Sequence, residues 1–199
     1  MRGGRGSVAL RRRGGQRGAA LVEAAVVFPV LMMLVFGMLE FALVFMNAST
    51  VAGATRSGVR TGSASPRVSG YEQGILTAVT TALKSRSDAT PQEVWIYKAD
   101  PTSGLPLGGN LSSPAGCPTN TCGRWVWSGS AWTLASATMW AASAQSACLA
   151  PASSIYPDSL GVYVKVQHSL ITRLFGSTFT LTDKSVMRLE PIPASSGCS

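Results

Sequence analysis

Charge is scarce in this chain. Only 13% of its 199 residues are Asp, Glu, Lys or Arg, against about 25% in an ordinary soluble domain. There is one histidine, His168, so a multi-histidine metal centre is excluded. The nine acidic residues are scattered, without the paired carboxylates that acid–base chemistry uses. No serine has glycine two residues before and two after it, which removes the nucleophile elbow. A P-loop, a dinucleotide-binding glycine motif and an H-E-x-x-H helix are all missing. A set of His168, Ser169 and Asp158 or Asp183 can be written on paper. A lone histidine at a strand end is expected to be structural. The reading is therefore of a protein that is not an enzyme and needs no cofactor or metal.

Acid is absent altogether from residues 1–18, which hold six arginines and six glycines. The net charge of the whole chain is +8. Removing the six leader arginines leaves 11 basic and nine acidic residues, or +2. The basicity is a local leader rather than a nucleic-acid-binding surface. Arg2-Gly3-Gly4 and Arg13-Gly14-Gly15 resemble RNA-binding tracts. The apolar stretch directly after them makes membrane topology the better explanation, and no nucleic-acid partner is expected. The leader has no apolar periodicity and is expected to be irregular.

From Ala19 to Phe45 the chain is apolar, interrupted by Glu23 and Glu40. As a helix this stretch is about 40 Å long, more than the roughly 30 Å hydrocarbon core of a bilayer. Arginines before it put the N-terminus in the cytoplasm and the rest outside. Three fates compete. A cleaved secretory signal would use Ala52-Gly53-Ala54, but its apolar core would run only about 7–15 residues. A plain signal-anchor is the default. The third is a prepilin-like segment, cut on the cytoplasmic side and retained as a helix.

Glu23 decides among them. A carboxylate at mid-bilayer costs roughly 2.5–3.5 kcal/mol, less near the interface, and a generic anchor has no use for one. A cut between Gly18 and Ala19 gives Ala19 a free amine and makes Glu23 the fifth residue. Positions four apart share a helix face, so amine and carboxylate can pair, within one chain or between neighbours. The pair lowers the cost of Glu23 and sets a register for packing helices. Gly18 has no side chain, so a peptidase can hold its backbone closely.

The run Arg17-Gly18-Ala19-Ala20-Leu21-Val22-Glu23-Ala24-Ala25-Val26-Val27-Phe28-Pro29 resembles the N-terminus of TadE-like pilus assembly proteins. These are minor pseudopilins of the tight-adherence (Flp) branch of type IV pili. Thr55-Arg56-Ser57-Gly58-Val59-Arg60 and Lys184-Ser185-Val186-Met187-Arg188-Leu189-Glu190-Pro191 resemble further segments of that family. The likeness covers about residues 19–65 and 160–192. It implies processing by a prepilin peptidase at Gly18–Ala19, and helix registration by Glu23 and Pro29. The partners it implies are other pilin or pseudopilin subunits, a pilus assembly platform and the membrane. The location it implies is the inner membrane in a single pass, with the outer domain outside the cytoplasm and the cell-surface pilus as a further destination. A membrane-anchored binding module or hydrolase unrelated to pili is the alternative.

Pro29 removes a helix hydrogen bond to Ala25 and is expected to kink the helix, with or without a role. Glu40, about 26 Å beyond Glu23 along a helix, is expected as a solvated charge at the outer interface. The chain thus reads as three regions: a leader at 1–18, a transmembrane helix at 19–46 and an outer domain at 47–199.

The helix is expected to continue past the membrane. Ala48, Val51, Ala52, Thr55 and Val59 form one stripe, with Arg56 and Arg60 pointing elsewhere. Gly62, Ser63 and Ser65-Pro66 end it. A second helix is predicted from Tyr71 to Ser85, with Tyr71, Ile75, Leu76, Val79 and Leu83 on one face. Strands are predicted at 93–98, at 124–127 and 131–133 as a hairpin about Ser128-Gly129-Ser130, and at 161–167. Thr178–Leu181 and Ser185–Leu189 suggest one more strand pair. The fold class is α+β and pilin-like: a long N-terminal helix, a second short helix and an antiparallel sheet.

Residues 100–158 form a loop-rich insertion, and 100–123 is rich in Pro, Gly, Ser and Asn. The four cysteines, Cys117, Cys122, Cys148 and Cys198, all lie beyond the apolar run. An even number on the oxidising side of a membrane fits disulfides. Cys117 with Cys122, and Cys148 with Cys198, are candidates among three possible connectivities. A zinc site from Cys117, Cys122, Cys148 and His168 is the less favoured alternative. Trp95, Trp125, Trp127, Trp132 and Trp140 all lie in the outer half. They are expected in the core, with an exposed adhesive contact as the alternative.

Overall fold

Apolar spacing makes the first element a single long helix, α1, over Gly15–Ser63. The computed structural model describes residues 15–84, 88–148, 156–172 and 176–192. The leader is thus helical from Gly15 and not irregular up to Gly18, while residues 1–14 and Cys198 lie outside the described residues. The helix runs through Pro29. The chain divides into two compact units, Met1–Ala42 and Leu43–Ser199, so α1 belongs to both.

Within the second unit, α1 carries a buried row of Asn47, Val51, Ala54, Thr55, Val59 and Ser63. The predicted stripe shares Val51, Thr55 and Val59 with this row but the buried face is turned toward Asn47, Ala54 and Gly58, since Ala48 and Ala52 are only half-buried. Arg56 and Arg60 face solvent. A turn whose Arg67 (φ 62°) and Gly70 (φ 79°) take the left-handed conformation leads into α2, Tyr71–Leu83. All five residues of its predicted stripe are buried, each contributing about 1.5–3 kcal/mol where burial is complete.

The sheet has five strands: β1 Ala89–Ala99, β2 Cys122–Trp127, β3 Trp132–Leu134, β4 Ser159–Ser169 and β5 Thr178–Arg188. Their order is β3-β2-β1-β4-β5, and every neighbouring pair is antiparallel. The β2–β3 hairpin closes where expected, with Trp127 opposite Trp132 and Gly129 at φ 95°. The last element departs from expectation. Thr178–Arg188 is one unbroken strand pairing along its whole length with β4, not two strands joined by a turn. Asp183-Lys184 reads as a turn in sequence but sits in the pleat of an edge strand. There Lys184 is exposed and Asp183 half-buried, and charges on an edge strand discourage further strand pairing.

Alternation gives the sheet two apolar faces. Val94, Ile96, Val162, Val164, Val166 and Leu160 pack with Val51, Val59, Ile75 and Val79 of the helices. Trp95 and Tyr97 point the other way and cluster with Cys122, Leu111, Cys117 and Tyr163. The loop after β1 therefore covers the face that the helices leave open. Asp100 starts that loop by accepting from the amides of Ser103 at 2.8 Å and Thr102 at 3.0 Å. These bonds hold its carboxyl below the usual range. Cys117 and Cys122 are joined in a disulfide, which pins the loop where β2 begins. Trp95, Trp125 and Trp140 are buried, and Trp127 and Trp132 are half-buried against each other.

Candidate functional site: the N-terminal helix and its junction

The elements that could carry chemistry do not converge. His168 lies near the end of β4, while Asp158 precedes its start, about 33 Å away along a strand. Asp158 instead pairs with Lys98 at 2.8 Å and accepts from the Ser146 amide at 2.9 Å. Asp183 stands opposite Val164. The paper triad is not assembled. His168 is fully buried and lies against a helix residue that sequence reasoning passed over. Asn47 Nδ2 donates to His168 Nδ1 at 2.9 Å and to the Asp88 carboxylate at 2.8 Å. The signal for Asn47 was present in its spacing: it lies four residues before Val51, on the same stripe as Thr55 and Val59.

The zinc alternative fails on its own ligands. Cys117 and Cys122 are bonded to each other, Cys148 is also disulfide-bonded, and no thiolate of the three is left for a metal. Among the described residues, no three His, Cys, Asp or Glu side chains gather where an ion could sit. The best-formed ionic cluster is structural. Glu93 accepts from Trp95 Nε1 at 2.9 Å and faces Arg124 at 3.3 Å and Lys165 at 3.5 Å. Burial pushes its carboxyl up, but the Trp95 hydrogen bond and the two cations outweigh that and hold it below the ordinary value. Burial pushes the Tyr71 and Tyr97 hydroxyls well up, so both are neutral hydrogen-bond donors. Tyr71 donates to the Trp140 carbonyl and Tyr97 to that of Gly104.

The unusual feature is the first unit. Gly18–Ser63 is long and apolar enough to cross a membrane. Within it, Leu21, Val22, Val26, Phe28, Met38 and Phe41 are each 60% or more exposed. Exposed apolar side chains all round a helix are tolerated only under lipid or other helices. The helix therefore points to membrane anchoring. Ala19 and Glu23 are helical and exposed, four residues apart on one face. A side chain at Gly18 would meet nothing within 4 Å, so the space around it is open.

Glu40 departs from expectation. It is only 5% exposed and has a partner; it is not a solvated boundary charge. A carboxylate on an apolar helix is costly while it faces lipid, and a partner in the buried position offsets part of that cost.

Residues 18–60 match the family model described as TadE-like protein. The match lies wholly within α1. It includes Gly18, Ala19, Glu23, Pro29 and Glu40, and leaves the sheet and the stretch 184–191 outside. No curated protein and no solved structure matches the chain.

Proposed function

We propose that this chain is a minor pilin-like structural and assembly subunit of a tight-adherence (Flp) pilus. The observation that carries the reading is the TadE-like match, which begins at Gly18 on a helix with an apolar, exposed surface. A TadE-like sequence suggests a pilus-associated protein with other pilus components as partners. In the finer reading, a prepilin peptidase cuts between Gly18 and Ala19 on the cytoplasmic side. Residues 19–46 cross the inner membrane, and residues 47–199 lie outside.

The helix supplies the mechanism. Before cutting, the nitrogen of Ala19 is a neutral peptide amide. After cutting, the Ala19 ammonium lies one turn before Glu23 and can pair with it, or with Glu23 of a neighbouring subunit. A paired charge leaves bulk lipid at lower cost than a lone one, so the mature helix can pack with other pilin helices in a defined register. Pro29 leaves the Ala25 carbonyl without its helix donor, which lets the helix bend as it packs. The subunit is a substrate of the peptidase and a contact surface for the assembly platform. It carries out no chemistry of its own.

The test is the intact mass of the membrane-extracted protein, with and without a co-expressed prepilin peptidase. A chain starting at Ala19 only when the peptidase is present is the expected result, and Gly18→Leu should abolish it. A full-length chain in both conditions leaves a plain signal-anchor. A chain starting near Thr55 makes this an ordinary secreted protein and removes the role given to Glu23.

A further inference from the structure

Solvent-facing helix positions are best filled by strong helix formers such as Glu, Lys and Ala. Threonine is a weak one, because its branched side chain loses rotamer freedom against the preceding turn. α2 departs from this pattern. Its only charged residue is Glu72, which is buried. Its exposed polar residues are Gln73, Thr77 and Thr81, spaced by four and so on one face. Lys84, the C-cap residue, continues the row, and Thr80 lies half-buried beside it.

That face forms one wall of a groove of about 490 Å³, within the roughly 300–1,000 Å³ of small-ligand sites. The β2–β3 hairpin forms the other wall, with Trp127, Ser130 and Trp132. Both indoles are fixed in place. Trp132 Nε1 donates to Thr80 Oγ1 at 2.8 Å, which ties the hairpin to the helix. The Trp127 ring meets the Trp132 ring edge to face, with centroids 5.0 Å apart. The Ser128 amide closes the turn between them on the Ala131 carbonyl at 2.9 Å. Little ordering is therefore left for a ligand to impose. A smaller hollow of about 260 Å³ shares Thr80, Lys84 and Trp127 with the groove.

The residues lining both hollows include no carboxylate and a single cation, Lys84. A nucleic acid needs several cations for its phosphates. A cationic ligand would meet Lys84 and no acid. An acyl chain or apolar peptide would strip water from the threonine hydroxyls and the Gln73 amide without replacing its hydrogen bonds. A sugar ring suits what is left. Its C–H face can lie against an indole, and its hydroxyls can exchange hydrogen bonds with hydroxyl and amide groups that both donate and accept. We propose that the groove between α2 and the β2–β3 hairpin is a saccharide-binding site. Trp127 supplies the apolar surface for a ring, and Gln73, Thr77 and Thr81 bond to its hydroxyls. The smaller hollow beside Trp127 leaves room for a second ring of the same chain. The inference lies wholly within the second unit and does not depend on the pilus reading.

The test is binding of the full chain, in a detergent without a sugar headgroup, to a printed array of microbial, plant and animal oligosaccharides. The parent is compared with Trp127→Ala and with Thr77→Glu. Thr77 is exposed, so its substitution blocks the groove without entering the core, and near-ultraviolet circular dichroism checks that both variants keep the parent fold. The expected result is a defined subset of saccharides bound by the parent, with signals about tenfold lower in both variants. A parent that binds no saccharide on the array overturns the proposal. Binding by Thr77→Glu equal to that of the parent also overturns it, since the sugar contact then lies outside the groove.

Discussion

Glu93 shows how one side chain ties strands together. Its carboxylate spans β1, β2 and β4 through Trp95, Arg124 and Lys165. Its folded-state pKa lies below the ordinary value of 4.5. A depressed carboxylate stabilises the fold above its unfolded value, and that contribution is lost as pH falls through the folded value. Acidification below about 4.5 should therefore weaken the outer unit. Glu93→Gln should lower stability at neutral pH by about 1 kcal/mol and flatten the acid dependence. Urea unfolding at neutral and acidic pH, monitored by tryptophan fluorescence, checks both. An acid dependence equal to that of the parent would remove Glu93 as its source.

Two glycines on α1 make opposite predictions. A Cβ at Gly62 would collide with the side chains of Leu160 and Ile75, which pack directly against the helix backbone there. Gly62→Val should destabilise by at least about 1–3 kcal/mol, the cost of overpacking. Gly53 faces open space, and Gly53→Ala should stabilise by about 0.5–1 kcal/mol through helix propensity. Thermal unfolding of the two variants beside the parent decides. Equal shifts of the same sign would mean the close approach at Gly62 is absent.

At the scale of elements, the loop from 100 to 121 acts as a cover for the second face of the sheet. It supplies Leu111 and Cys117 to the cluster around Trp95 and Tyr97. The Cys117–Cys122 bridge spans five positions, so its entropic contribution is near the low end, about 2 kcal/mol. The double substitution Cys117→Ser with Cys122→Ser should cost about that much. It should speed amide exchange at Asn110 and Gly116, whose backbones bond to each other, and leave the β1–β4 ladder protected. Exchange read by mass spectrometry separates these outcomes. Faster exchange throughout the sheet would mean that the loop is part of the main cooperative unit.

The helices were legible element by element because their signal is local. The α2 stripe has a period near 3.6, and every predicted face residue is buried. The strands were legible in place but short at their ends. In β1 the predicted strand begins at Glu93, and the residues before it, with Pro91 beside a register shift, carry no strand signal. The continuity of β5 was illegible for a related reason: an edge strand accepts polar residues that a turn would also accept.

At the scale of the whole molecule, the core belongs to the second unit, Leu43–Ser199. A chain beginning at Leu43 should therefore keep its fold and its disulfides while losing stable membrane association. Near-ultraviolet circular dichroism and detergent phase partition measure the two properties separately. Loss of the tertiary signal on removing residues 1–42 would show that the first unit contributes to the core.

Features written in neighbouring residues could be read from the chain alone. They include the apolar span, the Gly18–Ala19–Glu23 spacing and the second helix, with Cys117 and Cys122 as one candidate pair among three connectivities. Each depends on contacts a few positions apart, which period and spacing report directly. The meeting of His168 with Asn47, 121 positions away, emerged only from the folded chain. So did the burial of Glu40, the contact of Gly62 with Leu160 and the loop that closes the sheet's second face. Those outcomes turn on which surfaces meet when strands pair across long separations. A one-dimensional pattern carries the chemistry of each surface but not the identity of its partner.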